Sequence, residues 1–197
     1  VVTALSGPSG AGKSTIVSCL LADMAPDAGR IALRQSASTS TDDEIALSDI
    51  DPTAWRRQIS WVPQSPTLVP GTVLDNMGDL PLDALTAAAQ ATGFDTVVAT
   101  TPEGWNSVIG SGGVGLSVGQ RQRLALTRAL AAHSQIVILD EPTAHLDAVS
   151  EETVVRAINA MRDAGRTVIV IAHRAAMMEA ADVVIDVRSA ADEEARA

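Results

Sequence analysis

The segment that most constrains the fold is a glycine-rich turn near the start of the chain. Residues 7–14 read Gly-Pro-Ser-Gly-Ala-Gly-Lys-Ser, which matches the pattern G-x-x-x-x-G-K-S. The apolar run 1–5 before this turn predicts a short buried strand, and residues 14–24 after it predict a helix. Because the pattern marks a phosphate-binding loop when a strand leads into it and a helix leaves it, the sequence predicts an α/β fold with an anion site at this junction.

The residue types in this loop suit the binding of nucleotide phosphates. Glycines let the backbone wrap closely, so that successive N–H groups point inward as an anion nest, and the helix N-terminus adds its partial positive charge. Lys13 is expected to neutralise the β- and γ-phosphates, and the hydroxyl of Ser14 to ligate Mg²⁺. The alternative, a glycine-rich turn with a surface lysine, is disfavoured by the flanking elements. The residues predicted to contact the phosphates are Gly7, Ser9, Gly10, Ala11, Gly12, Lys13, Ser14 and Thr15.

Short apolar strands alternate with helices along the rest of the chain, which predicts a mostly parallel sheet covered on both faces. Residues 35–44, rich in Ser and Thr, predict an exposed loop without chemistry. Residues 1–197 are expected to form a single domain with a helical subdomain at about 66–132. Strands are predicted at 30–33, 59–62, 135–139, 167–172 and 182–187, and helices at 118–132, at 147–162 and, broken at Pro81 and Gly93, within 72–100.

Two acidic residues follow the strand predicted at 135–139. The carboxylates of Asp140 and Glu141 are therefore expected at the C-terminal edge of the sheet, where open α/β sheets bind ligands. Asp140 is predicted to hold the water shell of magnesium, and Glu141 can face the γ-phosphate and act as general base on the attacking water. Taken alone, two such acids fit a helix N-cap and a first-turn acid equally well. The phosphate loop favours the magnesium interpretation.

His173 directly follows the strand predicted at 167–172. A lone histidine at a strand end is usually structural or solvated. This one is expected at the same edge of the sheet as the phosphate loop and the two acids, which makes it a candidate for contact with a γ-phosphate.

Residues 116–123 read Leu-Ser-Val-Gly-Gln-Arg-Gln-Arg and resemble the signature motif of ATP-binding cassette (ABC) ATPases. The resemblance covers essentially the whole chain, with the motifs in the family's order. It implies a P-loop NTPase fold with a helical signature subdomain, and it implies ATP hydrolysis with Glu141 and His173 as catalytic residues. The magnesium ligands that it implies are Ser14, Gln64 and Asp140.

The same resemblance implies a head-to-tail dimer of two cassettes, identical or different, with each ATP between the phosphate loop of one and the signature of the other. Ser117, Gly119 and Gln120 would act in trans, and Asp147 would lie at the dimer seam. The physical basis is visible here, because Ser117 begins a long predicted helix and a helix N-terminus is an anion site. The resemblance also implies a transmembrane domain as a further partner, in cis or in trans, which is expected to lie outside residues 1–197. It would hold the cassette at the cytoplasmic face of a bacterial cell membrane.

Within the family, residues 55–64, with 71–73 and 76–77, resemble the exporter type. They look most like half-transporters that export cysteine and glutathione during cytochrome bd assembly in bacteria, which implies a thiol substrate.

Three departures from the family pattern stand out. Val118 replaces a usual glycine, and activity is expected to survive this change. Ser111 replaces a common glutamate, which implies altered coupling to the membrane domain. The strands that carry an adenine-stacking aromatic residue in the family are missing before the phosphate loop, so an N-terminally truncated chain is expected.

Composition narrows the function classes. The net charge of −10 disfavours a nucleic-acid surface, so no nucleic-acid partner is expected. Arg56 and Arg57, the longest basic cluster, are expected on a solvated helix face. Cys19, the only cysteine, is expected to be a small buried side chain.

Two alternative functions stay open. One is a soluble, non-transport ABC ATPase acting on ribosomes or DNA, which the acidic charge disfavours. The other is a regulatory cassette that holds ATP without turnover.

Overall fold

The structure is a computed structural model, and it describes residues 1–34, 44–110, 115–143 and 148–188. The strands are β1 (Val2–Ser6), β2 (Ala32–Leu33), β3 (Ile45–Ala46), β4 (Ile59–Val62), β5 (Gly71–Thr72), β6 (Val108–Ile109), β7 (Ile136–Asp140), β8 (Thr167–Ile171) and β9 (Val183–Asp186). The α-helices are α1 (Lys13–Leu20), α2 (Pro52–Arg56), α3 (Leu82–Thr92), α4 (Asp95–Thr100), α5 (Val118–Ala131), α6 (Ala148–Asp163) and α7 (Ala175–Glu179).

Five strands form a central sheet in the order β4-β7-β8-β1-β9, and all of its pairings are parallel. The predicted α/β fold with a mostly parallel sheet is confirmed. Because parallel strands end at the same edge, β4, β7, β8 and β1 deliver the segments that follow them to one side of the sheet. Those segments are Gln64, Asp140 with Glu141, His173 and the phosphate loop.

The sheet is covered on both faces, as its apolar strands require. Alternate residues of β7 face opposite layers: Val137 and Leu139 pack in a cluster with α5 and α6, whereas Ile138 packs in a cluster with α1. These three side chains are completely buried. The phosphate loop is therefore anchored on one side by β1 and on the other by a helix that packs on the sheet.

A second apolar core lies within residues 68–131. Phe94 is completely buried in it and stands 6.1 Å from Trp105, centroid to centroid. The hydroxyls of Thr92 and Thr127 meet at 2.6 Å between α3 and α5, where both side chains are fully buried. One hydroxyl donates to the other, and the accepting hydroxyl can donate to a carbonyl of its own helix, which is Ala88 for Thr92 or Arg123 for Thr127. The pair therefore joins the two helices without an unsatisfied hydroxyl.

The prediction of a helix from residue 72 is wrong for residues 72–77. Gly71 and Thr72 pair with β6, and Leu74–Met77 forms a 3-10 turn. The backbone N–H of Thr72 donates to Asp75, and the side-chain amide of Asn76 donates to the carbonyls of Val69 and Thr72. Short polar side chains that bond nearby backbone compete with the helix, and here they hold the chain in a turn.

The helix after the phosphate loop ends four residues earlier than predicted, at Leu20. The Trp55 indole donates to the carbonyl of Leu20, and the Arg56 guanidinium donates to those of Leu21 and Ala22. These donors satisfy the carbonyls that a helix end leaves free. Arg56 and Arg57 are exposed, as expected for a solvated helix face, and the Arg56 side chain in addition caps α1.

Three further details differ from the sequence expectations. Cys19 is half-buried and lines a cavity of about 440 Å³ beside the end of α1. Helix α7 was not predicted. The last strand, β9, lies at the sheet edge with about half of each apolar side chain exposed.

Within the described ranges, no helix combines the length and the apolar character that a membrane crossing requires.

Replacing Gly7 by alanine is expected to lower the free energy of unfolding by roughly 2–4 kcal/mol. Gly7 has φ +139, and a Cβ there would overlap the backbone carbonyl oxygen of Val187, so the chain after β9 would have to move. Gly10→Ala is the matched control, since Gly10 has φ +83 but open space around its missing Cβ. It should lose only about 1 kcal/mol from backbone strain. Urea unfolding without nucleotide measures both, and equal losses would contradict the role of the Val187 contact.

Candidate functional site

A cavity of about 210 Å³ opens at the C-terminal edge of the central sheet. The cavity brings together the phosphate loop, Glu141 directly after β7, and His173 two residues after the end of β8. Ile171 also lines it and was not among the predicted residues. The lining residues are Ser9, Gly10, Gly12, Lys13, Ser14, Thr15, Glu141, Ile171 and His173.

The phosphate loop has the backbone of an anion cradle. Gly10 and Gly12 have φ of +83 and +99, in the left-handed region that glycine tolerates without strain. Gly12 is the N-cap of α1 and offers no side-chain oxygen to the first turn. The N–H groups of that turn, from Lys13 to Thr15, therefore remain available at the positive end of the helix.

Lys13 lies under this loop, with a side chain only 6% exposed. Its ammonium donates to the carbonyl oxygens of Gly7 and Pro8, at 2.9 and 2.8 Å. Pro8 was not among the predicted residues, and its carbonyl helps to orient the lysine. Lys13 is also the only lysine in the sequence.

Glu141 is held from both sides. Its Oε2 accepts a hydrogen bond from Nε2 of Gln64 at 2.9 Å, and its Oε1 lies 3.1 Å from Nε2 of His173. Its backbone has φ +46, which is uncommon for a residue with a side chain, and its N–H donates to the carbonyl of Ile171. The turn at Glu141 directs its carboxylate into the cavity instead of along the strand.

Asp140 lies one residue earlier, at the end of β7. Burial raises the pKa of its carboxyl above the ordinary value, the negative charge of Glu141 raises it further, and Lys13 opposes the rise. A partly buried carboxylate next to another one is stabilised by a cation. Ser14, Gln64 and Asp140 offer hydroxyl, amide and carboxylate oxygens, which are the donors that Mg²⁺ prefers. These residues fit the metal predicted from the sequence.

The signature residues stand apart from this cavity. Ser117 is the N-cap of α5, where its hydroxyl accepts from the N–H of Gln120 and the Gln120 side chain accepts from the N–H of Ser117. Ser117 is exposed, and Gly119 follows in the first turn. None of the three lines the cavity around Lys13. Asp147 and Ser111 lie outside the described residues.

Sequence reasoning missed one charged pair beside the cavity. Arg174, directly after His173, donates from Nη1 to Oε2 of Glu151 at 2.7 Å. The sequence does place a basic residue, Arg174, after His173, and an acid, Glu151, in the first turns of the helix predicted at 147–162. Their spacing of 23 residues gave no reason to connect them.

Comparisons with known proteins show which family this chain resembles. The family model described as ABC transporter matches residues 1–144. An ATP-dependent lipid A-core flippase of Cupriavidus pinatubonensis is 40% identical over 191 residues, which cover 93% of this chain and 31% of that protein. The type I secretion system ATP-binding protein PrsD of Rhizobium meliloti is 36% identical over 183 residues, which cover 91% of this chain and 30% of that protein.

A solved structure of a bacterial Atm1-family ABC exporter with ATP bound superposes with a TM-score of 0.79 at 29% identity. The match covers 99% of this chain and 34% of that chain. The chain spans between 13% and 31% of the length of eight curated relatives that it matches.

Proposed function

This chain belongs to the ABC transporter family, and we propose that it binds and hydrolyses ATP as the ATP-binding domain of an exporter-type transporter. The observation that best supports hydrolysis is the position of Glu141. Its carboxylate lines the same cavity as Lys13 and Ser14, and Gln64 and His173 hold its two oxygens. A cassette that only held ATP would need the cradle but not an oriented carboxylate beside it.

In the proposed reaction the phosphate loop does the binding. The N–H groups at the start of α1 would donate to phosphate oxygens, and Lys13 would turn its buried ammonium toward the β- and γ-phosphates. Mg²⁺, when bound through Ser14, Gln64 and Asp140, supplies positive charge to the same phosphate oxygens. These groups hold the terminal phosphate in line for attack, and such positioning is the main part of phosphoryl-transfer catalysis.

Glu141 would then act on the attacking water. Its carboxylate would orient the water and accept one of its protons as the water oxygen bonds to the γ-phosphorus, while the bond from that phosphorus to the oxygen shared with the β-phosphate breaks and ADP leaves. His173 lies within hydrogen-bonding distance of the same carboxylate, so it can fix the orientation of Glu141 and contact the γ-phosphate from the other side of the cavity. The Gln64 amide bonded to Glu141 connects this chemistry to the loop that follows β4.

We further propose that the cavity is half of a site completed by a second cassette. The exposed N-terminus of α5 supports this, because Ser117 already satisfies one N–H of that turn and still has a hydroxyl proton to donate to a phosphate. In a head-to-tail dimer, identical or mixed, Ser117, Gly119 and Gln120 would close over the phosphates of the other chain, and Asp147 would lie at the seam.

The membrane partner and the substrate also stay proposals. A transmembrane domain in cis or in trans would place the cassette at the cytoplasmic face of a bacterial membrane. Cysteine or glutathione export follows only from the resemblance of residues 55–64, 71–73 and 76–77. The relatives named above concern lipid A-core and type I secretion. Uptake of labelled glutathione into inverted vesicles carrying the complete transporter tests the thiol substrate.

Mixing two inactive variants tests the shared site. Lys13→Ala disables a phosphate loop and Ser117→Arg disables a signature, so each alone should hydrolyse almost no ATP. An equimolar mixture of two dimeric variants forms mixed dimers with one intact site, and should recover about a quarter of the wild-type rate. Mixing two batches of the same variant is the control. Full activity of Ser117→Arg alone, or no recovery from folded, dimerising variants, would contradict the proposal.

A further inference from the structure

The pair formed by Arg174 and Glu151 is the most deeply buried ion pair among the described residues. Nη1 of Arg174 lies 2.7 Å from Oε2 of Glu151, whose side chain is only 14% exposed. The carboxylates of the other ion pairs in the described ranges are 22% to 71% exposed. The second oxygen of Glu151 is buried and accepts no hydrogen bond. Among the described residues, Arg174 is therefore the hydrogen-bond donor to the Glu151 carboxylate.

Such a pair is weak evidence for a stabilising role. Withdrawing a carboxylate from water is costly, and an apolar pair of similar volume often stabilises a fold as well or better. A buried acceptor without a partner adds to that cost. The location of the pair offers a reason for its presence that fold stability does not.

Arg174 joins two segments that meet at the proposed ATP site. On one side it directly follows His173, whose Nε2 lies 3.1 Å from Glu141. On the other side it binds Glu151 in the first turn of α6, the helix that starts right after Asp147 in the sequence. Asp147 is the residue predicted at the dimer seam.

The backbone at Arg174 makes this connection stiff. Arg174 is the N-cap of α7 with extended torsions, φ −92 and ψ 141, and its carbonyl accepts from the N–H groups of Met177 and Met178. In extended backbone, adjacent side chains point to opposite sides. With the Arg174 side chain bound to Glu151 on α6, this alternation favours a His173 side chain on the other side of the backbone. Nε2 of His173 lies 3.1 Å from Glu141.

We infer that Arg174 is a positioning residue: its bond to Glu151 orients His173 against Glu141 and ties that orientation to the N-terminus of α6. This inference rests on the proposed ATP hydrolysis. A second cassette that moves the start of α6 would change the geometry of His173 through Arg174, so dimer closure and the catalytic contact would be linked by one ion pair.

The test compares substitutions in the wild-type and the His173→Ala backgrounds. Arg174→Met, which keeps the stem and removes the charge, should lower kcat for ATP about tenfold with less than a twofold change in KM. Glu151→Gln should do the same, and Arg174→Lys should recover at least half of the rate. In the His173→Ala background, Arg174→Met should change kcat by less than twofold, because its effect passes through His173.

Arg162→Met is the matched control, since Arg162 lies on α6, is similarly exposed and pairs with Asp163 and Asp182, neither of which lines the cavity. It should leave kcat within twofold. An equal loss from Arg174→Met in both backgrounds, a change in KM alone, or an equal loss from Arg162→Met would overturn the inference while leaving ATP hydrolysis standing. Absence of turnover by the wild-type protein would instead reject the proposed function, and the inference with it.

A second readout does not depend on turnover. The ¹⁵N shift of Nε2 of His173, measured in labelled protein, should change in Arg174→Met and Glu151→Gln as the contact with Glu141 is lost. It should stay unchanged in Arg162→Met. An unchanged His173 signal in folded Arg174→Met and Glu151→Gln would overturn the inference.

Discussion

Replacing Glu141 by glutamine is expected to leave ATP binding within about twofold of wild type and to lower the hydrolysis rate by roughly 10²- to 10⁴-fold. Glutamine keeps the shape of the side chain, and its amide oxygen can still accept the hydrogen bond from Gln64. It cannot accept the proton of the attacking water. The phosphate cradle around Lys13 does not use Glu141, so binding should survive.

Titration calorimetry with ATP and a phosphate-release assay measure the two quantities separately. Glu179→Gln, an exposed carboxylate on α7, is the control and should change neither. If Glu141→Gln hydrolysed ATP at the wild-type rate, Glu141 would not be the general base. Loss of ATP binding in this variant would show that the carboxylate mainly supports the loop.

The second large effect is expected at Lys13. Lys13→Ala should weaken ATP binding by roughly a hundredfold or more, because it removes the one buried ammonium under the phosphate loop and its charge-assisted contacts with the phosphates. It also removes the two bonds to the carbonyls of Gly7 and Pro8 that brace the loop.

Lys13→Met separates these two causes. Methionine fills most of the same buried volume without the charge, so a loss equal to that of Lys13→Ala assigns the effect to the charge. Because Lys13 is the only lysine in the sequence, amine acylation supplies an independent check. ATP should protect this amine from the reagent, with the α-amino group as internal control. Unchanged affinity in both variants would contradict the assignment of the loop.

The site was predictable where the sequence dictates local backbone. The phosphate loop needs glycines at left-handed torsions, and the structure has them at Gly10 and Gly12. The parallel sheet was predictable because its strands are apolar throughout, and parallel strands end at one edge. Asp140, Glu141 and His173 could therefore be assigned to that edge from the sequence alone.

Contacts between distant residues were not predictable. Gln64 and Glu141 are separated by 77 positions, and their bond follows from the pairing of β4 with β7, which no local pattern encodes. The turn at Glu141 was not predictable either, because a glutamate gives no indication of a backbone φ of +46. The missed bond between Arg174 and Glu151 has the same origin.

Helix ends and starts were misjudged where side chains compete for the backbone. Thr72, Asp75 and Asn76 form bonds that hold a turn in place of the predicted helix. Trp55 and Arg56 end α1 early by capping it from 35 and 34 residues away. Propensity alone carries no information about such partners.

Steady-state release of phosphate from ATP is the measurement that tests the central claim most directly. It is made on wild-type protein with Mg²⁺ at concentrations where two cassettes associate. The account predicts many turnovers per site from the wild type and almost none from Glu141→Gln with ATP still bound. Folded, dimeric wild-type protein that binds ATP and releases no phosphate would contradict it, and would identify a cassette that holds ATP without hydrolysing it.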